Sequence, residues 1–268
     1  MGRGCYILAS SLLHYGYTMK LIIERSVIVI TPTVGSPKLK DAINSVKNQT
    51  YSNIEHLLVI DGVEHWKNAM DQLPVTLEYD DRSSDNIQTM ILPYNTGAKG
   101  FYGHRIYAGI PHLLNADYIF FLDEDNWYDP DHVRSLVEVL DRGNNFAHSL
   151  RKIYNPDKSY VCDDNCEALG KWPIYFSHKD PQYLVDTSSF AFEREFLQQT
   201  CHLWHSGWGG DRRYLYSVMQ QAKWDTNRKH TLCYRLDGNP GSVNADFFFK
   251  GNEEQLKHYN GELPWLKA

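Results

Sequence analysis

The chain has 268 residues, 42% of them hydrophobic and 22% charged, enough for one large α/β domain with a sizeable core. Aromatic residues make up 13%, more apolar area than a disordered chain carries. Against 33 acidic residues stand 27 basic ones, and the net charge of −6 argues against a dedicated polyanion binder, so nucleic acid is not an expected partner. Cysteines at positions 5, 162, 166, 201 and 233 are odd in number and irregularly spaced, which favours a reducing, cytoplasmic setting over a disulfide framework. The apolar run from Cys5 to Leu13 is too short to span a bilayer. No transmembrane segment is therefore expected, and peripheral membrane contact stays open.

Residues 1–18 read as an N-terminal extension ahead of a single domain over 19–268. Val27–Ile30 is a continuous β-branched run, the mark of a strand buried on both faces, and Thr31–Ser36 closes it as a turn. Leu39, Ala42, Ile43 and Val46 then fall on one helical face. Leu57–Ile60 is a second buried strand ending at Asp61-Gly62, so this βαβ unit places two strands in parallel. Thr89–Leu92 predicts a third strand, followed by a glycine-containing loop to Gly103. A helix is expected over Arg105–Leu114, kinked at Pro111. Tyr118–Leu122 is the strongest strand signal and runs straight into Asp123-Glu124-Asp125-Asn126. Asp129-Pro130 reads as the N-cap and first residue of the next helix. Beyond residue 145 the strands look short and polar-interrupted, and only Asp211–Ala222 predicts a helix.

Ligands of open parallel sheets bind beyond the carboxyl ends of the strands. Asp61, Asp123 and Asp125 all end strands there. Alternation along extended backbone puts Asp123 and Asp125 on one side and turns Glu124 away. Two carboxylates so placed repel unless a cation lies between them, and hard oxygen ligands select magnesium, manganese or calcium.

These segments resemble the inverting glycosyltransferases of family two, with the GT-A fold, a Rossmann-like α/β architecture. The resemblance rests on Val27–Gly35, Ser45–Tyr51, Asn53–Glu55 leading to Val59–Gly62, Asn95–Gly97, His104-Arg105 and Tyr118–Asp125. Asp123-Glu124-Asp125 matches that family's DxD motif. Looser matches are Val185–Ser189 and Gly207–Asp211. The resemblance implies a nucleotide-sugar donor, most simply a UDP-sugar, bound by residues 26–145. A sugar or glycoconjugate acceptor would be bound by 146–268.

It also implies roles. Thr31, Pro32 and Thr33 match the loop lining the nucleoside, and Asp61 the position that bonds the nucleobase. Gly97, Asp123 and Glu124 join this donor set, and Arg105 matches a position near the donor phosphates, a surface pairing with Asp117 being its alternative. Asp125, with Asp123, would hold Mn²⁺ or Mg²⁺; His230 is a candidate third ligand. Asp211 is the candidate base, an N-cap aspartate being its alternative, and Asp186 is the second candidate. Trp208, Gly209 and Gly210 suit the face of a pyranose, and His205 is a candidate for the same acceptor cleft. A zinc set of Cys162, Cys166, Cys201 and His205 is disfavoured by its spacing.

The Gln-x-x-Arg-Trp motif of processive synthases is missing, so addition of a single sugar is expected. A nucleotidyltransferase would need a basic glycine-rich loop after the first strand, and Thr31–Ser36 has no Lys or Arg. A non-catalytic sugar-binding subunit would have no reason to keep two mutually repelling acids. No Gly-x-Gly-x-x-Gly follows Ile30, which excludes a dinucleotide dehydrogenase.

Overall fold

A computed structural model describes residues 24–74, 86–172, 175, 184–239 and 242–267; the expected extension over 1–18 lies outside them. The N-terminal half runs β1 (Val27–Thr33), α1 (Leu39–Lys47), β2 (Ile54–Ile60), α2 (Trp66–Met70) and β3 (Ile87–Ile91). It continues with α3 (His104–Gly109), β4 (Tyr118–Phe121), β5 (Trp127–Tyr128) and α4 (His132–Leu140). The C-terminal half supplies β6 (Phe146–Tyr154), β7 (Tyr160–Asp163), β8 (Phe190–Glu193), α5 (Arg194–Thr200), α6 (Gly210–Met219), β9 (Trp224–Arg235) and α7 (Ala245–His258).

Among the described residues, nine strands join one sheet in the order β3-β2-β1-β4-β8-β6-β9-β5, with β7 paired to β6. The first four in that order are parallel, as the βαβ pattern requires. β8 then runs antiparallel to both β4 and β6. Alternate residues of β1 pack into separate cores, Val27 and Val29 with α1 and α4, Ile28 and Ile30 with α3 and α6. The sheet is thus covered on both faces, which explains its unbroken apolar runs. The molecule is the expected α/β fold, with the carboxyl ends of β1, β2, β3 and β4 at one edge.

Several expectations change in detail. The α3 backbone stops at Gly109 and tightens to a 3₁₀ turn over Ile110–Leu113, because Pro111 has no N–H for an α-helical bond. The N-cap position of α4 is Asp131, not Asp129, and its side chain makes no capping bond. The Asp129 carboxylate instead accepts from Lys152 Nζ at 2.5 Å and Cys233 Sγ at 3.3 Å. The second half is richer than its pattern suggests: β6 and β9 have nine and twelve residues, and α7 has fourteen. Gly251 lies inside α7 because a Cβ there would collide with Cys166. Cys162, Cys166, Cys201 and Cys233 are free thiols. Among the described residues none of them joins a cluster able to hold zinc, and no helix is long and apolar enough to cross a membrane.

Candidate active site

The carboxyl ends of these strands open into a cavity of about 920 Å³. Pro32 and Thr33 enter it from β1, Asp61 from the end of β2, Gly97 from the loop after β3, and Asp123, Glu124 and Asp125 from the end of β4. Trp208, Gly209 and Asp211 also line it. Residues far apart in the chain meet here because parallel strands deliver all their exit loops to one edge.

Asp123 is held on both carboxylate oxygens. Tyr107 donates its hydroxyl to Oδ1 at 2.8 Å, and Ser188 donates to Oδ2 at 3.2 Å. Ser188 Oγ also accepts the Asp123 backbone N–H at 3.1 Å and the Asn126 amide at 3.0 Å. Burial, then the charge of Asp125, then that of Asp186, push the Asp123 pKa up from 3.8 to about 7. Asp125 is raised too, first by burial, although Lys38 opposes the shift. Such a pair does not ionise fully by itself and gains from a cation. Glu124 turns towards β1, accepting from Thr33 Oγ1 at 2.5 Å and the Ser36 N–H at 3.1 Å, and so ties two exit loops together.

Asp61 is buried, and its carboxylate accepts the N–H and hydroxyl of Thr96 and the N–H of Gly97, all within 2.7–2.8 Å. It therefore organises the loop after β3. A Cβ on Gly97 would collide with the Tyr102 carbonyl oxygen. Thr31 does not line the cavity; it is buried and bonds His56 Nε2 at 2.8 Å. Arg105 does not line the cavity either. Its guanidinium lies 3.5 Å above the centre of the Phe101 ring and donates to the Thr96 carbonyl at 3.2 Å, off the cavity lining. It does not pair with Asp117, which accepts from Arg25 and Ser26.

In the segment before α6, Trp208 is 82% exposed and Gly209 adopts φ +72°, a conformation that favours glycine. Gly210 packs where a Cβ would come within 2.6 Å of Ser206 Oγ and 2.8 Å of His104 Nδ1. Asp211 reaches the cavity from the first turn of α6. His205 does not line it; its ring packs 6.0 Å from Phe101, and His104 lines the cavity instead. Asp186 also lies off the lining. It caps the turn at Ser188 and accepts from Arg151 Nη1 at 2.7 Å. His230 is not brought to the acid pair. It faces Asp163 at 3.8 Å and the Asp164 carbonyl at 3.3 Å, and among the described residues no group of three His, Cys, Asp or Glu forms a metal cage.

The sequence profile of Glycosyl transferase family 2 matches residues 26–218, a span that contains every element lining this cavity. The chain belongs to that family. It is 24% identical over 182 residues to dTDP-rhamnosyl transferase RfbG of Shigella flexneri, which covers 64% of this chain and 59% of that protein. A second relative, an uncharacterized protein of Haemophilus influenzae, is 24% identical over 113 residues, covering 35% of this chain and 76% of its own. Among solved structures, S. aureus TarS 1-349 in complex with UDP-GlcNAc superposes with a TM-score of 0.56 at 12% identity, over 84% of this chain and 64% of that one. The chain thus spans about two thirds or less of the rhamnosyl transferase and the TarS fragment.

Several residues of this family 2 site escape a linear reading. Tyr107 looks like part of an apolar helical face, yet its ring stacks on Phe121 and its hydroxyl reaches Asp123. Arg151 sits inside a strand, where its guanidinium bonds Asp164 and Glu167 at 2.8 Å and Asp186 at 2.7 Å. Arg212 and Arg213 line the cavity next to Asp211. The one hint for Arg151 is three scattered acids, which carry no spacing signature.

Proposed function

We propose that this glycosyltransferase moves one sugar, with inversion, from a nucleoside-diphosphate sugar to a hydroxyl of a sugar or glycoconjugate acceptor. A UDP-sugar is the donor and Mn²⁺ or Mg²⁺ the cofactor in this reading. The observation that carries it is the meeting of Asp123, Asp125 and Asp211 on the lining of one cavity. The TarS structure whose fold it shares was solved with UDP-GlcNAc, and the rhamnosyl transferase relative is named for a dTDP-linked donor.

The acid pair suits a divalent ion chemically. Two carboxylates with raised pKa values, neither residue fully buried, would supply hard oxygen ligands to such an ion. A bound ion would offset the charge that develops on the leaving diphosphate. Tyr107 and Ser188 fix Asp123 in place. Asp61 shapes the loop against which the nucleoside would rest. Asp211 would accept the proton of the acceptor hydroxyl as its oxygen attacks the anomeric carbon and the bond to the diphosphate breaks. Trp208 would hold the apolar face of the acceptor sugar.

The test is nucleoside diphosphate release from a panel of nucleotide sugars, with manganese and with EDTA. Release that needs the ion, together with a product of inverted anomeric configuration, supports the reading. Equal turnover in EDTA, or retained configuration, overturns it.

A further inference from the structure

Five carboxylates line the cavity: Asp61, Asp123, Glu124, Asp125 and Asp211. A ligand bearing phosphate groups needs compensating charge there. Arg105 does not supply it, because its guanidinium is stacked on Phe101 and turned to the Thr96 carbonyl. Among the described residues, Arg212 and Arg213 are the only arginines or lysines on the lining.

Their placement is costly to the fold. Both lie in the first turn of α6, where the peptide dipoles favour anions and disfavour cations. Among the described residues Arg213 pairs with no carboxylate, and Arg212 has only one long ion pair. The nearest to Arg212 is Glu167 Oε1, at 4.0 Å, and the other oxygen of Glu167 accepts from Arg151 at 2.8 Å. Arg212 remains half exposed, at 46% of its side chain. Arg213 is oriented by backbone alone: Nη2 donates to the Trp208 carbonyl at 2.8 Å and Nε to the Gly209 carbonyl at 3.4 Å. Its Nη1 makes no hydrogen bond among the described residues. Guanidinium forks match phosphate oxygens in shape as well as charge.

We infer that Arg212 and Arg213 form a phosphate subsite on the wall beside Asp211. The inference rests on the proposed donor reading for one of its two phosphate sources. Those sources are the diphosphate of the donor and a phosphate group carried by the acceptor.

Calorimetry on the full chain with manganese tests it, comparing wild type with R212Q/R213Q. Both side chains reach solvent, and circular dichroism confirms that the variant is folded. If the phosphates are the donor's, UDP binds the variant at least about tenfold more weakly while uridine affinity is unchanged. If they are the acceptor's, UDP affinity is equal in the two proteins. Inorganic phosphate then binds UDP-saturated wild type and fails to bind the saturated variant. Equal UDP affinity with no phosphate binding to the saturated wild type overturns the subsite. Wild type that binds neither UDP nor dTDP would count against the donor reading instead, and phosphate titrated into the bare proteins would then decide the subsite by the same comparison.

Discussion

Tyr107 and Asp123 are joined by a 2.8 Å hydrogen bond between a buried phenol and a carboxylate whose pKa is pushed up to about 7. The bond stabilises the ionised carboxylate, while burial and the neighbouring acids oppose it. The opposition prevails, so without a cation the acid pair holds a proton near neutral pH.

This has a sign that can be measured. Between about pH 4 and pH 7 the folded chain keeps a proton that the unfolded chain has released, so stability from Asp123 falls as pH rises through that window. The Asp123→Asn variant lacks this dependence. Its melting temperature in EDTA should gain on that of wild type steadily from pH 4 to pH 7, and manganese should reverse the gain. A constant difference across the range would mean that Asp123 is not the perturbed group.

Asp125→Ala should abolish ion-dependent nucleotide binding and turnover. Its melting temperature in EDTA should equal or exceed that of wild type, because one of two mutually repelling groups is gone. Calorimetric titration of UDP with and without manganese checks the first point. Ion-dependent binding that survives in the variant would remove Asp125 from the metal assignment.

Asp211→Asn should lower kcat by about 10²–10⁴ and leave the donor Kd nearly unchanged, as expected for a base that acts only on the acceptor. Single-turnover kinetics beside equilibrium donor binding separate the two effects. A large loss of donor affinity would instead make Asp211 part of the donor site.

Arg151 pairs with Asp164, Glu167 and Asp186 in a buried pocket, and Asp186 in turn caps the turn that presents Ser188 to Asp123. Arg151→Met leaves three acids without that partner and should cost about 3–5 kcal/mol in urea unfolding. A loss below about 1 kcal/mol would show that the acids relax by taking up protons at little cost.

The strands and the acids at their ends were readable because a sheet covered on both faces demands unbroken apolar runs such as Val27–Ile30 and Tyr118–Phe121. A charged residue directly after such a run stands out. The partners of Asp61 were not readable, since two of them are backbone N–H groups of Thr96 and Gly97. The seat of Arg105 is set by Phe101, which a linear reading treats as one more loop residue. β6 and β9 were hidden by polar residues with structural partners: Arg151 among its acids, and Asn227 bonded to Ser135 and Thr231. Their pairing also slips register around His148–Arg151, which breaks the period-two signal. His230 looked like a free ligand until the fold gave it Asp163 and Asp164 as neighbours.

The four-residue strand β8 hydrogen-bonds to β4 on one side and β6 on the other. With the β5–β9 pairing, it joins the two portions of the polypeptide into one sheet. Residues of the segments 95–103 and 207–210 line the cavity at the rim of that sheet. For protein engineers, specificity is then best altered by grafting those rim segments from a homologue. A chimera cut between β4 and β8 would sever that join itself.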